Sequence, residues 1–187
     1  VRAVLAPDEK RALGHAGAAL VQPGQVVILD GGTTSLQVVQ HLPLTLRATV
    51  VTHSPTIAVA LAGHAQIEVL VLGGRLFRHS MVNVGASVVE AAARLRADLY
   101  LMGVTGVHAQ AGLTTGDFEE AAVKRTLHAR AAETIVLASS EKLLSASAFV
   151  VGPMNALSLL VVPDHTPSKT VKALRAGGIV VQKANAV

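Results

Sequence analysis

Short apolar segments rich in Val, Ile and Leu alternate along this chain with segments that have helical patterns. The apolar segments are continuous rather than alternating in polarity, which is typical of strands buried on both faces of a sheet. They occupy residues 26–29, 48–52, 68–72, 98–102, 135–138, 159–162 and 179–181. The pattern predicts an α/β fold in which a mainly parallel sheet carries helices on both faces.

The helical patterns lie between these strands. They span residues 8–21, 34–41, 55–62, 86–96, 118–132 and 168–175. The first helix has no strand before it and follows a short extended start, so we expect further protein before Val1. The stretch at residues 141–153 breaks the alternation, and we interpret it as an excursion within one domain, residues 1–187, rather than as a boundary.

Composition narrows the possible functions. Cysteine is absent, which excludes disulfides and thiolate metal sites and is compatible with the cytoplasm, the expected location. The net charge of +4 favours anionic partners, but scattered basic residues and an aromatic content of 2% do not predict that this segment itself grips DNA. No apolar run has the length of a membrane span, and the spacing of the histidines predicts no metal site. We predict no cofactor.

A glycine- and hydroxyl-rich loop follows the first predicted strand and is the strongest local signal. It reads Leu29-Asp30-Gly31-Gly32-Thr33-Thr34-Ser35. Two glycines let the backbone approach a ligand closely, while free amide groups at a helix start and the hydroxyls can donate to phosphate oxygens. The alternative is that the glycines only turn the chain and a threonine only caps the helix. The loop lacks the spacing of the nucleoside triphosphate and dinucleotide fingerprints.

A second glycine- and threonine-rich segment follows the fourth predicted strand, at the edge where open parallel sheets bind ligands. It includes Gly103, Thr105, Gly106, Gly112, Thr114, Thr115 and Gly116. Glu120, Lys124 and His128 come next at helical spacing and therefore share one helix face. That face is either solvated and salt-bridged, or it brings Glu120 and Lys124 to a ligand.

Two more candidates lie at predicted strand ends. Lys142 offers a second cation for a phosphate or a sugar hydroxyl, although a surface lysine is the alternative. Gly73, Gly74 and Arg75 form a turn, and Arg75 has the bidentate geometry that suits an anion. A plain turn is the simpler interpretation of this last segment.

Taken in order, these segments resemble the C-terminal sensor domain of the DeoR family of bacterial transcriptional regulators, over nearly the whole chain. The series comprises Glu9-Lys10, Asp30-Gly31-Gly32-Thr33-Thr34, Val51-Thr52-His53-Ser54, Gly73-Gly74, Gly85, Gly103 with Gly106, Gly112-Leu113-Thr114, Glu120 to Lys124, and Lys142. The resemblance adds Thr52 and His53 to the expected ligand-binding residues.

The resemblance also implies a fold, a ligand class and partners. The fold would be that of ribose-5-phosphate isomerase and glucosamine-6-phosphate deaminase, and the ligand a phosphorylated sugar or related phosphometabolite. A winged helix-turn-helix would precede Val1 and bind operator DNA, and the protein would form a homo-oligomer, a dimer or tetramer.

Three positions depart from the family pattern. His53 stands where Asn is usual, Ser139 where Asp is usual, and Pro163 where Thr is usual. Loss of the carboxylate at Ser139 is expected to alter sugar recognition or the state of Lys142.

The sequence leaves two other functions open. A sugar-phosphate isomerase would use Glu120 as its general base. The isomerases of this fold carry a carboxylate cluster after the fourth strand, whereas this chain reads Met102-Gly103-Val104-Thr105-Gly106-Val107-His108 there. We therefore predict a sensor without catalytic residues. An oligomerisation module with a vestigial pocket is the other alternative. The glycine- and hydroxyl-rich strand ends argue against it, because such loops would not improve the packing of a purely structural domain.

Overall fold

A computed structural model describes residues 2–185, with side chains from Pro7 onwards. Within that range the α-helices are α1 (Arg2–Ala19), α2 (Thr33–His41), α3 (Pro55–Ala60), α4 (Ala86–Ala92), α5 (Phe118–Arg130) and α6 (Ser168–Ala176). The strands are β1 (Val26–Leu29), β2 (Ala48–Thr52), β3 (Ile67–Val71), β4 (Arg75–Phe77), β5 (Val82–Val84), β6 (Ala97–Met102), β7 (Gly106–His108), β8 (Gly112–Thr115), β9 (Ala131–Leu137), β10 (Phe149–Gly152), β11 (Leu159–Val162) and β12 (Val181–Lys183).

Seven of the described strands form one sheet in the order β12-β11-β9-β6-β1-β2-β3. Every neighbouring pair in it is parallel. The chain builds outward from β1 in one direction and then from β6 in the other, so the strand order reverses between these two strands. Ligands of open α/β sheets bind beside the carboxyl ends of strands at such a reversal.

Helices cover both faces of this sheet, as predicted. Neighbouring residues of a strand point to opposite faces, and β1 shows this because its side chains are divided between two cores. One core joins Val27 and Leu29 to Leu13 of α1, Val38 of α2 and Ile57 of α3. The other joins Ile28 to Val88 of α4, Leu127 of α5 and Leu174 of α6. The parallel α/β prediction is therefore confirmed.

The expected extended start of the chain was wrong. Helix α1 begins at Arg2 and passes through Pro7, so it includes residues that the prediction left outside. A proline inside a helix removes one backbone donor, but here the helix continues beyond it. None of the helices in residues 2–185 combines the length and apolar character needed to cross a bilayer.

Several other boundaries moved. The helix predicted at 86–96 ends at Ala92, the one at 55–62 ends at Ala60, and the strand predicted at 135 begins at Ala131 directly after α5. The last strand is shifted to Val181–Lys183 because a turn at Gly177 and Gly178 precedes it.

Short antiparallel strands occupy segments that the sequence suggested were loops. β7 and β8 form a hairpin, and β10 pairs with β8 to complete a three-stranded sheet. The stretch at 141–153 is thus an excursion that contributes a strand to this small sheet. A separate hairpin of β4 and β5 lies between β3 and α4.

Candidate functional site

A cleft of about 620 Å³ lies at the carboxyl edge of the main sheet, at the reversal of strand order. The residues after β1 and after β6 line it, together with parts of α1, α5 and the β4–β5 turn. Eight predicted ligand-binding residues are brought together there: Gly31, Gly32, Thr33, Gly103, Thr105, Glu120, Lys124 and Lys142.

Asp30 lies beneath the cleft rather than in its lining, and it is fully buried. Its Oδ1 accepts a hydrogen bond from His53 Nε2 at 2.9 Å. Its Oδ2 accepts from the Tyr100 hydroxyl at 2.7 Å, from the Gly103 amide at 2.9 Å and from Lys124 Nζ at 2.9 Å. The carboxylate therefore joins β1, β6, α5 and the end of β2 under the site.

The ionisation of this buried group is set by competing effects. Burial acts to raise the pKa of Asp30, but the positive charge of Lys124 and the hydrogen bonds from His53 and Tyr100 outweigh it and hold the pKa well below its ordinary value. Burial and the nearby Asp30 raise the pKa of Tyr100, which keeps that hydroxyl as a donor. Asp30 is thus a buried anion that pairs with Lys124.

Three lysines line the cleft: Lys10 from α1, Lys124 from α5 and Lys142 from the turn after β9. Lys124 has Asp30 as its partner, and its side chain is 5% exposed. Burial lowers the pKa of Lys142; the adjacent Glu141 opposes this, while the charges of Lys10 and Lys124 add to it. The mutual repulsion of these ammonium groups makes the cleft attractive to an anion.

A second, smaller cavity of about 40 Å³ shares several residues with the cleft. Its lining includes the whole loop from Gly31 to Ser35, with Gly103 and Lys142. Thr34 Oγ1 is buried and has no hydrogen-bond partner within the described part of the chain. Among the same residues, no side chain caps the start of α2, where Gly32 has a φ of 107°. Thr34, whose hydroxyl has no such partner, the start of α2 and the half-buried Lys142 therefore lie around one small space.

Four of the remaining predicted residues have structural contacts away from the cleft lining. The Thr52 hydroxyl accepts a hydrogen bond from the Ser54 amide at 3.1 Å, and Thr114 Oγ1 accepts one from the Ser147 amide at 2.8 Å. A Cβ at Gly106 would lie 2.5 Å from the Ser145 carbonyl oxygen, and one at Gly112 would lie 2.3 Å from that of Gly152. The two glycines allow close packing of the small sheet.

Three others also lie outside the lining. His53 is buried and holds Asp30. A Cβ at Gly74 would lie 2.6 Å from Val88 Cγ2, so this glycine packs against α4, and Arg75 is exposed at the start of β4. For Gly74 and Arg75 the plain turn is the interpretation that fits the structure.

Several cleft residues were not among the predicted site residues. They are Lys10, Leu36, Ser54, Thr56, His79, Ser80, Met81, Val82, Val104 and Thr115. Lys10 and Ser54 lie in segments that carry the family resemblance, and Thr115 lies in the second glycine- and threonine-rich segment, so the sequence contained a signal for all three. The turn with His79, Ser80 and Met81 had none, because the β4–β5 hairpin that brings it over the cleft was not predicted.

Comparison with known proteins agrees with the ordered motifs. The chain matches the family described as the DeoR C terminal sensor domain over residues 5–164. The HTH-type transcriptional repressor GlcR of Bacillus subtilis (strain 168) is 33% identical over 162 residues, which cover 87% of this chain and 62% of that protein. The chain thus spans less than two thirds of this relative, and the resemblance inferred from the sequence is confirmed.

Solved structures agree on the fold. The probable sor operon regulator from Shigella flexneri superposes with a TM-score of 0.58 at 15% identity, covering 90% of this chain and 88% of that one. Ribose 5 phosphate isomerase A from Neisseria gonorrhoeae gives a TM-score of 0.54 at 15% identity, covering 73% of this chain and 53% of the other. At these identities the likeness shows the fold alone, as expected from the resemblance.

Proposed function

This chain belongs to the family of DeoR C terminal sensor domains, and from that membership we propose that its cleft binds a phosphorylated sugar or a related phosphometabolite. The observation that carries the proposal is the small cavity beside the cleft. Its lining includes the start of α2, Lys142 and Thr34, whose buried hydroxyl has no partner among the described residues, and this supports a site for a group of a few atoms.

A phosphate group satisfies each of these features. Its oxygens accept hydrogen bonds from the amide groups of a helix start and from a threonine hydroxyl, and its charge compensates the half-buried ammonium group of Lys142. A buried hydroxyl without a partner costs about 1–3 kcal/mol, which a ligand oxygen would recover. The anion therefore belongs in the small cavity, on the loop from Gly31 to Ser35.

The sugar part of the ligand belongs in the larger cleft. Hydroxyl groups of Ser54, Thr56, Thr105 and Thr115 line it, together with the carboxyl group of Glu120. The hydroxyl groups can both donate and accept hydrogen bonds and the Glu120 carboxylate accepts them, as a polyhydroxylated ligand requires.

The ligand controls DNA binding in the complete protein, on this proposal. A winged helix-turn-helix before Val1 would bind the operator in the cytoplasm, and a homo-oligomer, a dimer or tetramer, would present two or more such units. Binding in the cleft shifts the arrangement of these units only if the ligand has different affinities for the two arrangements. The support is that relatives such as GlcR are longer and carry the description HTH-type transcriptional repressor.

The domain binds its ligand without transforming it, on the same proposal. Among the described residues that line the cleft, Glu120 is the only carboxylate. Isomerisation beside a carbonyl needs a positioned base and usually a second acid. An aldose–ketose interconversion that Glu120→Gln abolishes would overturn this part of the proposal.

A paired ligand screen tests the binding. Each phosphorylated sugar is compared with its unphosphorylated parent by thermal shift and calorimetry, and only phosphorylated members should stabilise the domain. A ligand at a hundred times its Kd adds about 2.7 kcal/mol to the free energy of unfolding. Equal stabilisation by the parents would contradict the phosphate assignment.

Thr34→Val tests the small cavity directly. Removal of an unsatisfied hydroxyl should leave the unliganded domain equally stable or more stable, yet weaken the phosphorylated ligand about tenfold. Thr126→Val is the matched control, because the Thr126 hydroxyl bonds to the Ala122 carbonyl within α5. An unchanged affinity in Thr34→Val would place the phosphate elsewhere.

A further inference from the structure

The carboxylate of Glu9 joins three separate segments of the chain. It lies on α1, and its side chain is 5% exposed. Its Oε2 accepts a hydrogen bond from the Ser140 amide at 3.0 Å, and its Oε1 accepts one from the Ser140 hydroxyl. His165, in the loop after β11, approaches the same Oε1 with Nε2 at 2.9 Å.

The bonds to Ser140 act on a turn that carries a cleft lysine. Ser140–Lys142 form a single 3-10 turn, and the Lys142 amide donates to the Ser139 carbonyl at 3.0 Å. Glu9 therefore holds the start of the turn that ends at Lys142. The residue that follows Glu9 on α1 is Lys10, which also lines the cleft.

We propose that Glu9 is a positioning residue for anion binding, which fixes Lys10 and Lys142 beside one another although it does not line the cleft itself. The inference rests on the proposed function. Its physical basis is that two like charges repel and, without a restraint, turn toward water. The contact of one carboxylate with both the helix and the turn holds the backbones that carry the two lysines. Less conformational entropy of the lysines is therefore lost when the anion binds.

The test measures the affinity of inorganic phosphate by calorimetry at constant ionic strength. Glu9→Gln keeps the size of the side chain but loses its charge, and it replaces one of the two acceptors with a donor. We expect phosphate to bind about tenfold more weakly, the equivalent of one charge-assisted hydrogen bond. Ser140→Ala keeps the backbone bond and loses only the hydroxyl, so its effect should be about threefold.

Asp8→Asn is the matched control for this variant. Asp8 precedes Glu9 on the same helix, is exposed, and pairs with Arg11 on that helix. The substitution changes the net charge by the same amount, so it should leave phosphate affinity unchanged if Glu9 acts by position and not by its contribution to the overall field.

A double-mutant cycle separates positioning from a general loss of structure. If Glu9 acts through Lys142 as well as Lys10, Glu9→Gln should weaken phosphate binding less in the Lys142→Met background than it does in the wild type. Additive losses in the cycle, or unchanged phosphate affinity in Glu9→Gln, would overturn the inference while leaving wild-type phosphate binding intact. Failure of the wild-type domain to bind phosphate would contradict the proposed function as well.

Discussion

His53 donates a hydrogen bond from Nε2 to Oδ1 of Asp30 at 2.9 Å, and both side chains are fully buried. The other ring nitrogen, Nδ1, lies 2.9 Å from the backbone carbonyl oxygen of Asn83. The two ring nitrogens therefore face two buried oxygen atoms, one on the carboxylate of Asp30 and one on the backbone of β5. His53 thus connects Asp30, in the floor of the site, to the backbone of β5 and shares that carboxylate with Lys124.

Removal of the His53 ring should therefore be costly. His53→Ala removes the ring that contacts Asp30 Oδ1 and the Asn83 carbonyl oxygen and leaves a cavity, so we expect a loss of roughly 2 to 4 kcal/mol in the free energy of unfolding. His15→Ala, on the exposed side of α1, is the control and should change it by less than about 0.5 kcal/mol. Denaturant titration measures both. Equal stability losses in the two variants would contradict a structural role for the His53 ring.

Asp30 should make the stability of the domain depend on acid. Because its pKa in the folded state lies well below the ordinary value of about 3.9, its contribution is fully present above that value and is lost as the pH falls below it. Asp30→Asn leaves Lys124 buried without its charged partner and should cost about 3 kcal/mol at neutral pH. The difference in free energy of unfolding between the wild type and Asp30→Asn should become smaller as the pH falls below about 4.

The acid dependence has a clear control. Asp164 is exposed in the loop after β11, and Asp164→Asn should leave the stability curve parallel to that of the wild type. A gap between wild type and Asp30→Asn that stays constant down to low pH would show that the Asp30 carboxylate is not held as an anion.

Lys142 should lower the stability of the unliganded domain and strengthen the binding of the ligand. Burial and the charges of Lys10 and Lys124 lower its pKa, so its charged form destabilises the unliganded fold. Lys142→Met should raise the melting temperature of the unliganded domain and weaken phosphorylated ligands about tenfold or more. A melting temperature that falls while affinity is retained would contradict this role.

The same lowered pKa of Lys142 predicts the direction of an alkaline effect. The unfolded chain holds the Lys142 proton up to about pH 10.4, whereas the folded domain releases it earlier. The penalty is present below the folded pKa and is relieved as the pH rises toward the ordinary value, so stability gains from this group across that window. Anion affinity should fall over the same window, and calorimetry in buffers of different ionisation enthalpy would detect the accompanying uptake of a proton.

Gly31 should be intolerant of a side chain for reasons of space. A Cβ there would lie 2.6 Å from Val82 Cγ1 and 3.3 Å from the Ser80 carbonyl oxygen, so Gly31→Ala pushes the β4–β5 turn away from the cleft. We expect a loss of about 1–3 kcal/mol in stability together with weaker ligand binding. Gly63→Ala is the control, because among the described residues no atom lies within 4 Å of a Cβ built there. Thermal unfolding and calorimetry on the two variants check the prediction.

Much of the fold was predictable because its signals are local. Continuous apolar runs such as residues 26–29 predict strands that are buried on both faces of a sheet. The loop of glycines and hydroxyls that follows β1 predicts a helix start with free amide groups. These patterns involve residues that are close in sequence, so they can be recognised without knowledge of the tertiary structure. Helix and strand limits, such as the extension of α1 through Pro7, were less well predicted because packing decides them.

Part of the site was also predictable. Glu120, Lys124 and Lys142 were proposed from their positions after strands, and all three line the cleft. Gly106, Gly112 and Thr114 carried the same local chemistry but lie in the small sheet, where they permit close packing or accept a backbone hydrogen bond. Local composition does not distinguish a glycine that faces a ligand from one that faces another strand.

The sequence by itself determined the strand and helix alternation, the glycine-rich loop after β1 and the family to which the chain belongs. The tertiary structure alone decided that Asp30 is a buried anion under the site and that Glu9 meets Ser140, 131 positions away along the chain. Such contacts have no local signature, because they arise only when the sheet order brings the ends of distant strands and helices to one edge.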